Sequence, residues 1–247
     1  MTNRRVLPLL LLALALPAAA QPDPSCGLDA AGIKADASLS REQACLVYGD
    51  LMFLKGMQFS EQGPQFEKWF GAGKPEEAGQ RVFDWVKART TLLGKRRVVD
   101  AYAANLGHAA RAKAIAESHP YGSIVLTDEF FALTSRIKRL AVYVHEARHS
   151  DGDANLKAGT VDQDHPDTSH GFCRVVSIKP QPQGTLGDNG CDPTFNAAYA
   201  YQAIFLNNLA KACVNCSDAE KAEAKSDGQS ALLNHHLEAP MPFPAPR

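Results

Sequence analysis

The sequence predicts an α-rich α+β domain with a small sheet, stapled by disulfides. Three observations carry that prediction. Ile137, Leu140, Ala141, Val144 and Arg148 recur at helical spacing and give a mostly apolar stripe, so 137–152 reads as a helix with one side buried. Ser123-Ile124-Val125-Leu126-Thr127, β-branched and apolar between turn signals, reads as a strand shortly before it. Six cysteines in a chain that opens with an export leader read as three disulfides.

The leader comes first in the chain. Arg4 and Arg5 give a positive n-region, Val6 to Leu16 an apolar core, and Ala18-Ala19-Ala20 a small-residue cleavage site. Residues 1–20 are therefore expected to be a signal peptide and the mature protein to be exported, periplasmic or secreted. No later run of 18 apolar residues suggests a membrane span. Removing Arg4 and Arg5 from 26 basic residues leaves 24 against 27 acidic ones, a net charge of −3. That balance argues against nucleic acid or an anionic membrane surface as partner. The rest divides into a lead-in over 21–38, rich in Pro, Ala, Gly and Asp and expected to be poorly ordered, a folded domain over 39–237, and a proline-rich tail over 238–247.

Within the domain, 39–59 slightly favours helix, because Ser40 precedes Glu42 and an apolar run. Pro75-Glu76-Glu77 suits a helix start; Ala78, Val82, Trp85 and Val86 continue it, and Gly94 is read as its end. Arg97 to Ala103 has strand character and the alanine-rich stretch from His108 to Ser118 helical character, with a turn at His119-Pro120-Tyr121-Gly122. Phe195 to Cys213 reads as a helix with Ala198, Tyr201, Phe205, Leu209 and Ala212 on one stripe. Proximity along the chain pairs Cys26 with Cys45, Cys173 with Cys191, and Cys213 with Cys216, although fifteen connectivities are formally open. The Cys213-x-x-Cys216 spacing lacks the strand-then-helix setting of a redox site and reads as a staple.

The chemistry concentrates in His145-Glu146-Ala147-Arg148-His149. Four residues make slightly more than one helical turn, so His145 and His149 leave one face and can share a metal ion. Glu146 lies about 100° round from His145, near enough to take a proton from a water at that metal without ligating it. With eight histidines in 247 residues, such a match arises by chance in about one chain in a hundred. Gly152 follows as a natural helix stop.

With that motif preceded by a strand, the stretch from Ser123 to Cys213 resembles the zincin zinc metallopeptidases. It is also similar to a group of uncharacterised secreted bacterial proteins that carry a His-Glu-Ala-Arg-His-x-Asp helix. Their further elements have counterparts here in His170-Gly171-Phe172-Cys173, Cys191-Asp192 and Ala198-Tyr199-Ala200-Tyr201-Gln202. The resemblance implies a zincin-like catalytic domain with an HExxH active-site helix, one Zn²⁺ on His145, His149 and a third residue, and Glu146 as general base. It implies a peptide or protein substrate pairing with the Ser123–Thr127 strand. A metzincin third ligand is absent, since Asn155 occupies its slot, and no glutamate between Glu146 and Glu220 fits the gluzincin pattern. His170 ranks first as third ligand, Asp162 of Gly159-Thr160-Val161-Asp162 second and His165 third. A disulfide at Cys173 would pin the loop that carries His170. Asp151 is a candidate for orienting a ligand histidine, and Tyr199 for donating a hydrogen bond to the developing oxyanion. Two rival readings keep the same residues: a non-catalytic extracellular zinc-binding module with a closed coordination shell, and a metal-free disulfide-stapled interaction protein.

Overall fold

A computed structural model describes residues 23–95, 116–119, 122–158, 171–172, 189–191 and 197–235. The α-rich α+β expectation holds for these residues. The chain runs α1 (Leu28–Ala31), β1 (Lys34–Ala35), α2 (Arg41–Lys55), α3 (Pro64–Phe70), a 3₁₀ turn (Pro75–Glu77), α4 (Ala78–Arg89) and β2 (Leu92–Lys95). It continues with β3 (Ala116–His119), β4 (Ser123–Leu126), α5 (Asp128–Ala132), α6 (Arg136–Ala158), β5 (Gly171–Phe172), β6 (Asn189–Cys191), α7 (Ala198–Ala212) and α8 (Asp218–His235). The expected signal peptide, Arg97–Ala103, most of the His108–Ser118 stretch and the proline-rich tail lie outside the described residues.

Four strands form one sheet in the order β1-β2-β4-β3. β1, β2 and β4 run parallel, with Leu93 opposite Ile124, and β3 returns antiparallel to β4 with His119 opposite Ser123. The turn between β3 and β4 uses Gly122 at φ 79°, where a Cβ would also meet the Arg89 carbonyl at 2.7 Å. Leu93, Ile124 and Leu126 are buried, and α6 packs against β3 and β4. β5 and β6 form a separate short antiparallel pair.

Four sequence expectations are corrected. The lead-in is structured from Asp23 onward: Leu28 and Ile33 are fully buried, β1 joins the sheet, and the Cys26–Cys45 disulfide ties the segment to α2. Gly94 does not end a helix. α4 stops at Arg89, and Leu92–Lys95 is instead a strand, held by pairing to β4. Ala116–Ser118 belongs to strand β3 rather than to a helix. Gly152 does not stop the helix either, because α6 continues to Ala158. A glycine inside a helix costs only about 1 kcal/mol, which flanking turns offset.

Other expectations hold, with the mechanism now visible. Ser40 caps α2 through a reciprocal box: its Oγ accepts from Gln43 N, and Gln43 Oε1 accepts from Ser40 N. The Cys213–Cys216 disulfide closes the link from α7 to α8. Cys173 lies outside the described residues, so the Cys173–Cys191 pairing does too. α8, a helix the sequence did not announce, packs closely along α7. No described helix is long and apolar enough to cross a membrane.

Candidate metal centre

The helix α6 is unusual for how much of its girth is buried. From Leu140 to Ser150 only Val142 and His149 are half-buried; everything else, including Arg148 at 0% and Glu146 at 6% exposure, is buried. Val142 and His149 are seven residues apart, so they share a face, and His145 lies between them on it. Between Leu140 and Ser150 this is the least buried face, although His145 on it is only 7% exposed.

On that face the two histidines converge. Nε2 of His149 stands 3.2 Å from Nε2 of His145, with ring centroids 4.9 Å apart and ring planes at 74°. Two imidazoles bound to one tetrahedral zinc at about 2.0–2.1 Å place their nitrogens about 3.3–3.4 Å apart. The pair is therefore close to the spacing a shared zinc requires. Without metal, the same spacing suits an N–H···N hydrogen bond in which one Nε2 carries the proton. The residues present fit a zinc ion as two of its three expected protein ligands.

Helix α7 supplies the wall opposite α6. Tyr199 is half-buried and meets His145 edge to face, centroids 4.4 Å apart at 69°. One turn on, Gln202 Oε1 lies 3.1 Å from His145 Nδ1. The structure thus brings together four residues, His145, His149, Tyr199 and Gln202. Tyr199 was a sequence candidate. Gln202 was visible only as part of the tyrosine-bearing segment, and its three-residue spacing from Tyr199 is the one signal that places both on the same helix face.

The register of α7 is fixed by the residue between them. Tyr201 stacks on Trp69 of α3 at 4.0 Å and 2°, and on Trp85 of α4 at 5.4 Å and 22°. The guanidinium of Arg148 lies 4.5 Å from the Tyr201 ring centroid, a cation–π contact made inside the protein. Arg148, between Glu146 and His149 in sequence, thus bolts the motif helix to α7 from a different face than the one the histidines share. On the far side of α6, Arg139 Nε and Nη2 hold Asp50 Oδ2 and Oδ1 at 2.7 and 2.9 Å, and Nη1 donates to the Leu133 carbonyl at 2.6 Å. The Asp50 hydrogen bond holds the Arg139 guanidinium above its ordinary pKa. Burial pushes the Tyr143 phenol well above its usual value.

The three candidates for the third ligand, His170, Asp162 and His165, lie outside the described residues; Gly171, which follows His170, begins β5 and pairs with Cys191. Among the described residues no three His, Cys, Asp or Glu side chains converge on one point. Compared with protein-family models, with curated proteins and with solved structures, the chain matches none.

Proposed function

We propose that the chain is an exported zinc-dependent peptidase with a zincin-like catalytic domain. The observation that supports this most is the 3.2 Å approach of His145 Nε2 and His149 Nε2 on the least buried face of the Leu140–Ser150 stretch. A third protein ligand, with His170 first in rank, would complete the set and leave a position for water. Bound zinc would supply Lewis acidity and a lowered pKa for water at neutral pH.

The chain's own groups do the rest. Glu146 takes the proton of the attacking water and returns it to the leaving amine. The low exposure of Glu146 keeps that carboxylate in a setting where its charge is little screened. Tyr199, whose ring packs against His145, would in this reading donate to the oxygen that gains charge as the carbonyl is attacked. An extended peptide substrate would pair with the sheet, but not at the strand first expected. Ser123–Leu126 is flanked by β2 on one side and β3 on the other, so its backbone groups are already used. The edge next to the site helix is β3, which among the described residues pairs only with β4. In this reading β3 is the strand the substrate extends.

The test is elemental analysis of the tag-free mature chain, together with hydrolysis of a mixed peptide library before and after chelation. About one zinc per chain, with cleavage lost on chelation and restored by zinc, is the expected result. A chain that holds zinc yet cleaves nothing across a broad library is the non-catalytic module. A chain that takes no zinc is neither.

A further inference from the structure

We infer that Gln202 is a positioning residue that fixes His145 in its Nδ1–H tautomer and so leaves Nε2 as a lone-pair donor; its bearing on metal binding rests on the zinc reading above. A glutamine Oε1 is an acceptor only, so at 3.1 Å from His145 Nδ1 the imidazole nitrogen must donate. In a neutral ring one nitrogen carries the proton and the other the lone pair. Fixing the proton on Nδ1 directs the lone pair to Nε2, the atom that faces His149. Free neutral imidazole side chains favour the opposite tautomer, with the proton on Nε2. Without an acceptor at Nδ1, the donor atom would be protonated in most molecules.

Burial and two packing arrangements make this more than an incidental hydrogen bond. Gln202 is half-buried, which limits competition from water for Nδ1. Tyr199, one turn earlier on α7, packs edge to face on the same imidazole and sets its plane. Tyr201 is locked between Trp69 and Arg148, so α7 cannot rotate Gln202 away from His145. Because the acceptor is an amide and not a carboxylate, it orients the ring without adding negative charge to the centre. A metal held there keeps more of its positive charge for polarising a water or a carbonyl.

Two measurements test this. In the metal-free chain, at a pH where histidines are neutral, long-range ¹⁵N–¹H correlation of the His145 ring should show Nδ1–H in the wild type and Nε2–H in Gln202→Met, a near-isosteric change without an acceptor. In parallel, zinc affinity should fall about 10–100-fold in Gln202→Met and be retained or raised in Gln202→Glu, which restores an acceptor. An Nδ1–H tautomer that persists in Gln202→Met overturns the inference, as does equal loss of affinity in Gln202→Met and Gln202→Glu. If the tautomer switches as expected but the wild type takes no zinc, the assignment to Gln202 stands and the zinc reading falls.

Discussion

Arg139 grips Asp50 with two nitrogens at once, at 2.7 and 2.9 Å, across 89 residues of sequence, and both side chains are almost fully buried. This ties the motif helix α6 to α2 two turns before His145, and Arg136 adds a longer contact at 3.7 Å to the same carboxylate. A buried pair of this kind adds little over a well-packed apolar pair, but breaking it on one side is costly. Asp50→Ala should therefore destabilise the domain by about 3–5 kcal/mol in chemical denaturation, because Arg139 is left charged and uncompensated. The double replacement Asp50→Leu with Arg139→Met should recover most of that loss. A double variant no more stable than Asp50→Ala would show that the pair itself, and not the stranded charge, sets the cost.

Gly79, in the first turn of α4, lies against the last turn of α2 and the chain just after it. A Cβ there would stand 2.5 Å from the Met57 carbonyl oxygen and closer still to that of Leu54. These are backbone atoms, so relief requires the start of α4 to move away from the end of α2 and the residues that follow it. Gly79→Ala gains up to about 1 kcal/mol in helix propensity yet should lose about 1–3 kcal/mol net from overpacking. Thermal melts of the two proteins decide it, and a stabilised alanine variant would mean the interface yields more easily than its geometry suggests.

Asp227 on α8 gives a pH-dependent prediction. Burial pushes its carboxyl above the ordinary value of 3.8; Lys138 opposes that shift and Glu223 adds to it. A raised folded-state pKa means that the ionised form weakens the fold at neutral pH. The penalty fades as pH falls through the raised folded-state pKa and is gone below the ordinary one. Asp227→Asn should thus stabilise slightly at pH 7, by about half a kcal/mol or less, and the two melting curves should converge near pH 3.5 or below. A constant offset at both pH values would assign the effect to something other than this charge.

How much of this was legible in the residues depends on how much apolar signal each element needs. The motif helix was legible because its stripe from Ile137 to Val144 is long and periodic, and because His-Glu-x-x-His has a spacing with a chemical reason. Its length was not, since Gly152 costs too little to stop a helix whose neighbours favour one. β2 was hidden because Leu92-Leu93-Gly94-Lys95 is four residues long and owes its conformation to its partner β4. α8 was hidden for a different reason. Its buried positions are chiefly small, as at Ala224 and Ala231, and Gly228 comes close enough to α7 that a Cβ would meet Leu206 Cβ at 3.2 Å. Close contact between small residues buries a helix without leaving an apolar stripe to read. The histidine pair and Tyr199 were named from sequence and do meet in space, whereas Gln202 carries no motif of its own and became visible only through its distance to His145.

Glu146 carries the most decisive prediction. It follows His145 directly, lies about 100° round the helix from it, and is 6% exposed. In the peptidase reading it acts on the attacking water and holds no metal, so Glu146→Gln should keep zinc content and fold while hydrolysis falls about 10²–10⁴-fold, because an amide cannot accept the proton. His145→Ala and His149→Ala should instead lose zinc and activity together. The measurement is zinc content, circular dichroism and cleavage of one peptide library for all four proteins, wild type included. If Glu146→Gln cleaves as fast as the wild type, this carboxylate is not the base. If it loses zinc in step with activity, Glu146 supports the metal and not the proton transfer, and the general base must be sought among other residues.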